Sequence, residues 1–139
     1  MLTIEHLNLV VNNIDDTIKF YQALAPHWKV RSQGKSTWYG TPRKWAHFGD
    51  DYQFLTFNDS GTGNNRDLES NDLGLSHFAF STNNLNAATK RLQAAGFEIK
   101  VPLRKDKHRM NIYFLDPNGY EIELVEYQSD IPSERNLDA

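Results

Sequence analysis

Two histidines open similar segments of the chain, and their type and spacing suggest chemistry. His6 begins HLNLVVNNIDDTIKFYQA and His77 begins HFAFSTNNLNAATKRLQA, an offset of 77 − 6 = 71 residues. The identical pairs at this offset are His6/His77, Asn12/Asn83, Asn13/Asn84, Lys19/Lys90, Gln22/Gln93 and Ala23/Ala94. Such an internal repeat predicts one domain made of two similar halves. Because imidazole is the commonest metal ligand in proteins, we expect the paired histidines to share a metal site.

A glutamine and a glutamate extend this candidate ligand set. The segment GYEIELVEY aligns with GDDYQFLTF at an offset of 119 − 49 = 70 residues, which places Gln53 opposite Glu123. The chain contains no cysteine, so a metal would be bound through nitrogen and oxygen. Two imidazoles, one carboxylate and one amide oxygen can bind a divalent ion and leave positions for water or substrate.

Each half predicts a strand, a helix and three further strands that would position these residues. In IEHLNLVV the apolar Leu7, Leu9 and Val11 alternate with His6, so the histidine should lie on the face away from the helices. The first helix should be capped by Asn12 or Asn13 and stopped by Pro26. Its counterpart should begin after Asn84 and end before Gly96.

The remaining strands follow from short aromatic and β-branched runs. These are HWKVRSQ, STWY, KWAHFG and YQFLTF in the first half, and FEIKVPL, MNIYFL and YEIELVEY in the second. The residues 116–119, Asp-Pro-Asn-Gly, predict a turn before the last strand. Residues 59–73 are rich in Gly, Asn, Asp and Ser and predict a linker. We therefore expect one domain over residues 1–127, with modules at 1–58 and 74–127. A tail should follow at 128–139, frayed from Ile131 to Ala139.

Composition narrows the classes of function. The 139 residues carry a formal net charge of −3, which argues against a nucleic-acid-binding protein. No apolar run approaches the ~20 residues that span a bilayer, and MLTIEHLNLVV lacks the basic start and cleavage site of a secretory signal. We expect a cytoplasmic protein whose partner is a small molecule.

Side chains near the expected site are candidates for substrate contact. The stretch LRKDKHRMN carries five basic or imidazole side chains. Such a run of charge usually faces water. The alternative is a basic lip that attracts an anionic substrate, together with Arg43 and Lys44 from the first half. Trp38 and Tyr39 are further aromatic candidates for a pocket wall. The residues that we predict to contact substrate are Trp45, His47, His108, Arg109 and Tyr113.

The repeated plan, closed by FLDPNGYEIELVEY, resembles the vicinal oxygen chelate superfamily. That superfamily includes glyoxalase I, bleomycin-resistance proteins, fosfomycin-resistance enzymes and extradiol dioxygenases. The resemblance covers about residues 1–127 and implies an α+β fold, in which two βαβββ modules form a cup-shaped mixed sheet with helices outside. It also implies one divalent ion, with Zn, Ni, Co, Mn and Fe all open. Its ligands would be His6, Gln53, His77 and Glu123.

The resemblance implies a glyoxalase-like lyase or isomerase, in which the metal chelates vicinal oxygens of a small metabolite. Glu123 would be a ligand and general base, because Gln53 cannot serve as a base. One alternative is an Fe(II) extradiol dioxygenase with His6, His77 and Glu123 as ligands, although Gln53 as a fourth ligand would crowd dioxygen. The other alternative is a non-catalytic binding protein of the bleomycin-resistance type. The linker allows pairing of modules within one chain or between the chains of a homodimer.

Overall fold

The chain forms two compact units, each built around a mixed sheet. A computed structural model describes residues 1–137 and separates residues 1–64 from the part that begins at Asn65. The first unit contains β1 (His6–Val10), α1 (Ile14–Leu24), β2 (Lys29–Trp38), β3 (Thr41–Gly49) and β4 (Phe54–Asn58). The second contains β5 (Phe78–Ser81), α2 (Leu85–Ala94), β6 (Ile99–Lys105), β7 (Arg109–Leu115), β8 (Glu121–Tyr127) and α3 (Pro132–Arg135). The α+β class and the two βαβββ modules are confirmed.

The two sheets share one strand order. It is β1-β4-β3-β2 in the first unit and β5-β8-β7-β6 in the second. The histidine-bearing strand β1 runs parallel to β4, and β5 runs parallel to β8. The other neighbours are antiparallel. In each unit the last strand therefore lies directly beside the first.

Both long helices begin at the predicted asparagines. The side chain of Asn13 accepts a hydrogen bond from the backbone N–H of Asp16 at 2.9 Å, and that of Asn84 accepts one from Ala87 at 3.0 Å. These bonds satisfy backbone donors that the first helical turn leaves unpaired. Gly96 follows α2 with φ +93, a left-handed conformation that favours glycine after a helix.

Each long helix covers one face of its sheet, and we call the face opposite the helix the open face. The fully buried side chains of the first unit include Phe20 and Tyr21 from α1 and Phe48 and Phe57 from the sheet. Leu92, Phe114, Ile122 and Leu124 have the same role in the second unit. Burying such a side chain stabilises the fold by roughly 1.5–3 kcal/mol. The open face is the face on which the sequence places the histidines.

The first hairpin corrects two predicted strands. HWKVRSQ and STWY are one strand, β2, and only Tyr39 and Gly40 separate it from β3. Both turn residues have positive φ, as a two-residue hairpin loop requires. Tyr39 is 97% exposed at this tip and does not line a pocket wall within its unit.

The C-terminal segment corrects the predicted frayed tail. Residues 132–135 form the short helix α3, and the guanidinium of Arg135 lies 4.0 Å from the centroid of the Tyr127 ring. The Ser129 hydroxyl donates a hydrogen bond to Glu134 at 2.6 Å. Residues 138 and 139 of the predicted tail lie outside the described residues. Within residues 1–137 no helix is long and apolar enough to cross a membrane.

Candidate functional site

His77 lies between two carboxylates on the open face of the second unit. Its Nδ1 atom is 3.8 Å from Oε2 of Glu121, and its Nε2 atom is 3.6 Å from Oε1 of Glu123. Strand alternation places both glutamates on this face, because the intervening Ile122 is fully buried on the helix side. The side chains of Glu121 and Glu123 are only 14% and 13% exposed. Such carboxylates are costly to bury unless a cation or hydrogen-bond donors neutralise them.

Neighbouring side chains fix one oxygen of Glu123. The Tyr113 hydroxyl donates to Oε2 at 3.2 Å, and the side-chain amide of Asn111 donates to the same oxygen at 3.4 Å. Burial raises the pKa of Tyr113, and the charge of Glu123 and this hydrogen bond raise it further. The phenol therefore remains a proton donor at neutral pH. Oε1 of Glu123 is the oxygen that faces His77.

The first unit places His6 in a different environment. The Nδ1 atom of His6 is 2.8 Å from Oε1 of Glu5, and its ring stacks on Phe54 with centroids 4.7 Å apart. His47 from β3 also stacks on Phe54, at 4.8 Å, and lies 5.1 Å from the Trp45 ring. The pKa of His47 is lowered by burial and then by the charges of Arg31 and His6. Phe54, Trp45 and Arg31 thus lie near His47, and the carboxylate of Glu5 lies beside His6.

Strand pairing corrects the predicted alignment of Gln53 with Glu123. His6 pairs with Phe54, whereas Phe78 pairs with Ile122, so His77 lies level with Glu121. The offset between β4 and β8 is therefore 121 − 54 = 67 residues rather than 70.

This register makes Thr56 the counterpart of Glu123. Gln53 precedes β4 in an exposed turn, where its backbone N–H donates to Asp50 at 2.8 Å. Its role as a ligand stays a prediction, but the alignment that supported it was wrong.

The family follows from comparison with known proteins. Residues 3–124 match the model of the Glyoxalase/Bleomycin resistance protein/Dioxygenase superfamily. The chain belongs to this superfamily. No curated protein matches the chain significantly.

Solved structures of superfamily proteins share the fold. A glyoxylase/bleomycin resistance protein/dioxygenase domain from Frankia sp. EAN1pec is 20% identical, with a TM-score of 0.74 over 91% of this chain and 98% of that chain. A glyoxalase family protein from Enterococcus faecalis is 25% identical, with a TM-score of 0.72 over 89% and 97%. A mutant of the fosfomycin resistance protein FosX from Listeria monocytogenes, complexed with Mn(II) and 1S,2S-dihydroxypropylphosphonic acid, is 18% identical, with a TM-score of 0.70 over 98% and 99%.

The donor atoms fit the divalent ions that superfamily members such as FosX bind. Two ligand atoms at ~2.1 Å from one tetrahedral ion lie ~3.4 Å apart, close to the 3.6 Å between His77 and Glu123. Across residues 1–137 no three His, Asp or Glu side chains are grouped to hold an ion. The second unit thus contributes a pair of donors of suitable type and spacing.

Two other predicted substrate residues are engaged with acids. Nε2 of His108 lies 3.3 Å from Glu134 of α3, and Nε of Arg109 lies 3.8 Å from Asp106. Each of these two side chains thus faces an acidic group of its own unit. The residues that the sequence did not single out are Asn111, Glu121, Lys100 and Arg31. Only strand register brings them to the open faces.

Proposed function

We propose that the protein is a divalent-metal-dependent enzyme that acts on a small oxygenated molecule, as a glyoxalase-like lyase or isomerase. The observation that carries the proposal is the geometry of His77 and Glu123, whose facing atoms lie 3.6 Å apart. Superfamily membership and the Mn(II) in the FosX complex support a metal. The proposed ligands are His77 and Glu123 from the second unit and His6 from the first.

A bound divalent ion would polarise substrate oxygens and stabilise a developing oxyanion. Glu123 is proposed both as a ligand and as the general base that would act once displaced from the ion, with Oε1 as the oxygen that would accept a proton from the substrate. Tyr113 and Asn111 hold Oε2 of the same carboxylate, which keeps Oε1 directed toward His77. Trp45 and His47 share the open face with His6 and are proposed substrate contacts.

We propose three protein ligands rather than four. The register puts Thr56, not Gln53, at the position equivalent to Glu123. A set of two histidines and one carboxylate leaves positions open for dioxygen and a bidentate substrate. An Fe(II) dioxygenase is therefore the second candidate, because the argument against it depended on crowding by Gln53.

Metal affinity tests the ligands directly. We would measure it by chelator competition for the wild type, His77→Ala and Glu123→Ala, with Gln53→Ala as the matched control. Loss of a direct ligand should lower affinity by more than about 100-fold, beyond the effect of removing a supporting residue. Gln53→Ala should remain close to wild type. A loss as large as that of His77→Ala would favour four-ligand coordination.

Two further results would redirect the proposal. If the wild type takes up no divalent ion at neutral pH, the enzyme proposal is contradicted and a non-catalytic binding protein is favoured. If the Fe(II)-loaded protein consumes oxygen with a catechol, and His6→Ala abolishes this, the dioxygenase is correct. The expected cytoplasmic homodimer stays a prediction, and the mass in solution tests the dimer.

A further inference from the structure

A basic residue lies in a β-bulge at the same place in both units. Val30 pairs with Phe48 and Ser32 with His47, which leaves Arg31 as the extra residue of β2. In the second unit Ile99 pairs with Phe114 and Val101 with Tyr113, which leaves Lys100 as the extra residue of β6. A bulge changes the direction of its side chain and is common beside functional sites. Arg31 and Lys100 are thus structural counterparts.

In the second unit the basic residue of the β-bulge, Lys100, forms an ion pair with a neighbouring carboxylate. Its Nζ atom lies 2.7 Å from Oε1 of Glu121, whose side chain is 14% exposed. Glu121 is the residue level with His77. The second unit therefore neutralises its bulged cation internally.

Arg31 has the same position but a different neighbour. The counterpart of Glu121 is Phe54, and the guanidinium of Arg31 lies 4.2 Å from the centroid of the Phe54 ring. Within the described residues 1–137, Arg31 forms no ion pair with an acidic side chain. An aromatic face attracts the cation but accepts none of its five N–H donors in the way that a carboxylate does.

The groups around Arg31 are also poor in negative charge. His6 and His47 stack on the same Phe54 ring, at 4.7 Å and 4.8 Å. The nearby carboxylate of Glu5 is hydrogen-bonded to His6. A permanent cation and a second imidazole, that of His47, thus lie close to the proposed metal ligand His6.

We propose that Arg31 binds an oxyanionic group of the substrate, a carboxylate, phosphate or phosphonate, beside His6. The planar guanidinium offers paired donors that match two oxygens of such a group. That the bound group belongs to a substrate depends on the proposed function, whereas the anion site itself does not. The bulge directs the cation, and the phenylalanine leaves its donors available to a ligand.

The test uses the metal-free, full-length protein, so that it does not depend on metal binding. Inorganic phosphate, methylphosphonate and acetate are titrated separately while proton–nitrogen NMR follows the Arg31 side chain. The three anions distinguish phosphoryl from carboxylate preference. Arg31→Gln should weaken binding of the preferred anion roughly tenfold or more, the effect of losing a charged hydrogen bond. Lys29→Gln removes a charge from an exposed position on the same strand and should leave binding near wild type.

A second pair of variants recreates the arrangement of the other unit. Phe54→Glu gives Arg31 an internal carboxylate, as Glu121 does for Lys100, and should abolish anion binding. Phe54→Gln is its uncharged match and should retain binding. Circular dichroism checks the fold of each variant.

Three results would overturn the proposal. They are undiminished binding in Arg31→Gln, an equal loss in Lys29→Gln, and no binding by the wild type. Metal uptake, measured separately, should be unchanged by Arg31→Gln. A wild type that binds anions but no metal would contradict the proposed function and leave the anion site supported.

Discussion

Replacing Asp116 tests how the turn before β8 holds the strand that carries Glu121 and Glu123. Oδ1 of Asp116 accepts hydrogen bonds from the backbone N–H groups of Asn118 at 2.8 Å and Tyr120 at 2.9 Å. Asp116 is only 5% exposed. Asp116→Ala therefore leaves two peptide donors without their acceptor in a region that water reaches poorly.

The burial of this turn sets the expected magnitude. A hydrogen bond to a charged group contributes about 1.5–3 kcal/mol, and the lower figure applies to half-buried donors, so the two bonds together give about 3 kcal/mol. Asp50 offers a matched comparison, because it accepts from the backbone of Tyr52 and Gln53, both at 2.8 Å. Tyr52 is 84% exposed, so water replaces the lost acceptor. Asp50→Ala should cost about 1 kcal/mol.

The assay is urea unfolding of both variants, followed by circular dichroism and by tryptophan fluorescence. The urea concentration at the unfolding midpoint should fall about three times as much for Asp116→Ala as for Asp50→Ala. The dependence of the unfolding free energy on urea concentration should be unchanged. Equal losses would refute the reasoning, since the bonds have similar lengths and only burial separates them. A loss below about 1 kcal/mol for Asp116→Ala would refute it as well.

Two further predictions concern the turns. Burial, and then the charge of Asp116, raise the pKa of Tyr120. The contribution of Tyr120 to stability is therefore complete below the pKa of an unfolded tyrosine, about 10. It is lost as the pH rises through the higher pKa of Tyr120 in the folded protein. In a pH titration followed by phenolate absorbance, one tyrosine should ionise at a higher pH than usual, and this step should be missing in Tyr120→Phe. Gly49→Ala would drive a Cβ into the backbone oxygen of Gln53 and should destabilise by more than about 3 kcal/mol in thermal unfolding. Gly40→Ala, in open space at positive φ, should cost only about 1 kcal/mol.

Local signals in the sequence predicted the elements well. The caps at Asn13 and Asn84 and the turn at residues 116–119 each depend on a few adjacent residues. The alternation in β1 predicted burial of Leu9 and Val11 on one face. Such features are set by the chain within one or two turns, so a single sequence contains them.

Strand register depends on contacts that are remote in sequence, and the sequence alignment missed it. Matching Gly49 to Gly119 aligned the last residue of β3 with a residue in the turn before β8, and the resulting offset of 70 differs by three from the offset of 67 that strand pairing gives. Gly34 lies inside β2, between the two runs that were predicted as separate strands. A Cβ there would lie 2.8 Å from Cζ2 of Trp45, so this glycine makes room for the indole within β2 rather than breaking the strand.

The differences between the repeats explain how one duplicated plan can divide two tasks. Both units keep the repeated histidine and the basic residue in the β-bulge, but at the position level with the histidine the first unit has Phe54 and the second has Glu121. The second unit therefore concentrates carboxylates around His77, as a cation site requires. In the first unit the guanidinium of Arg31 lies over the Phe54 ring, on which His6 also stacks. The proposed roles predict that ligand specificity depends on substitutions at Phe54 and Arg31, and metal affinity on those around Glu123.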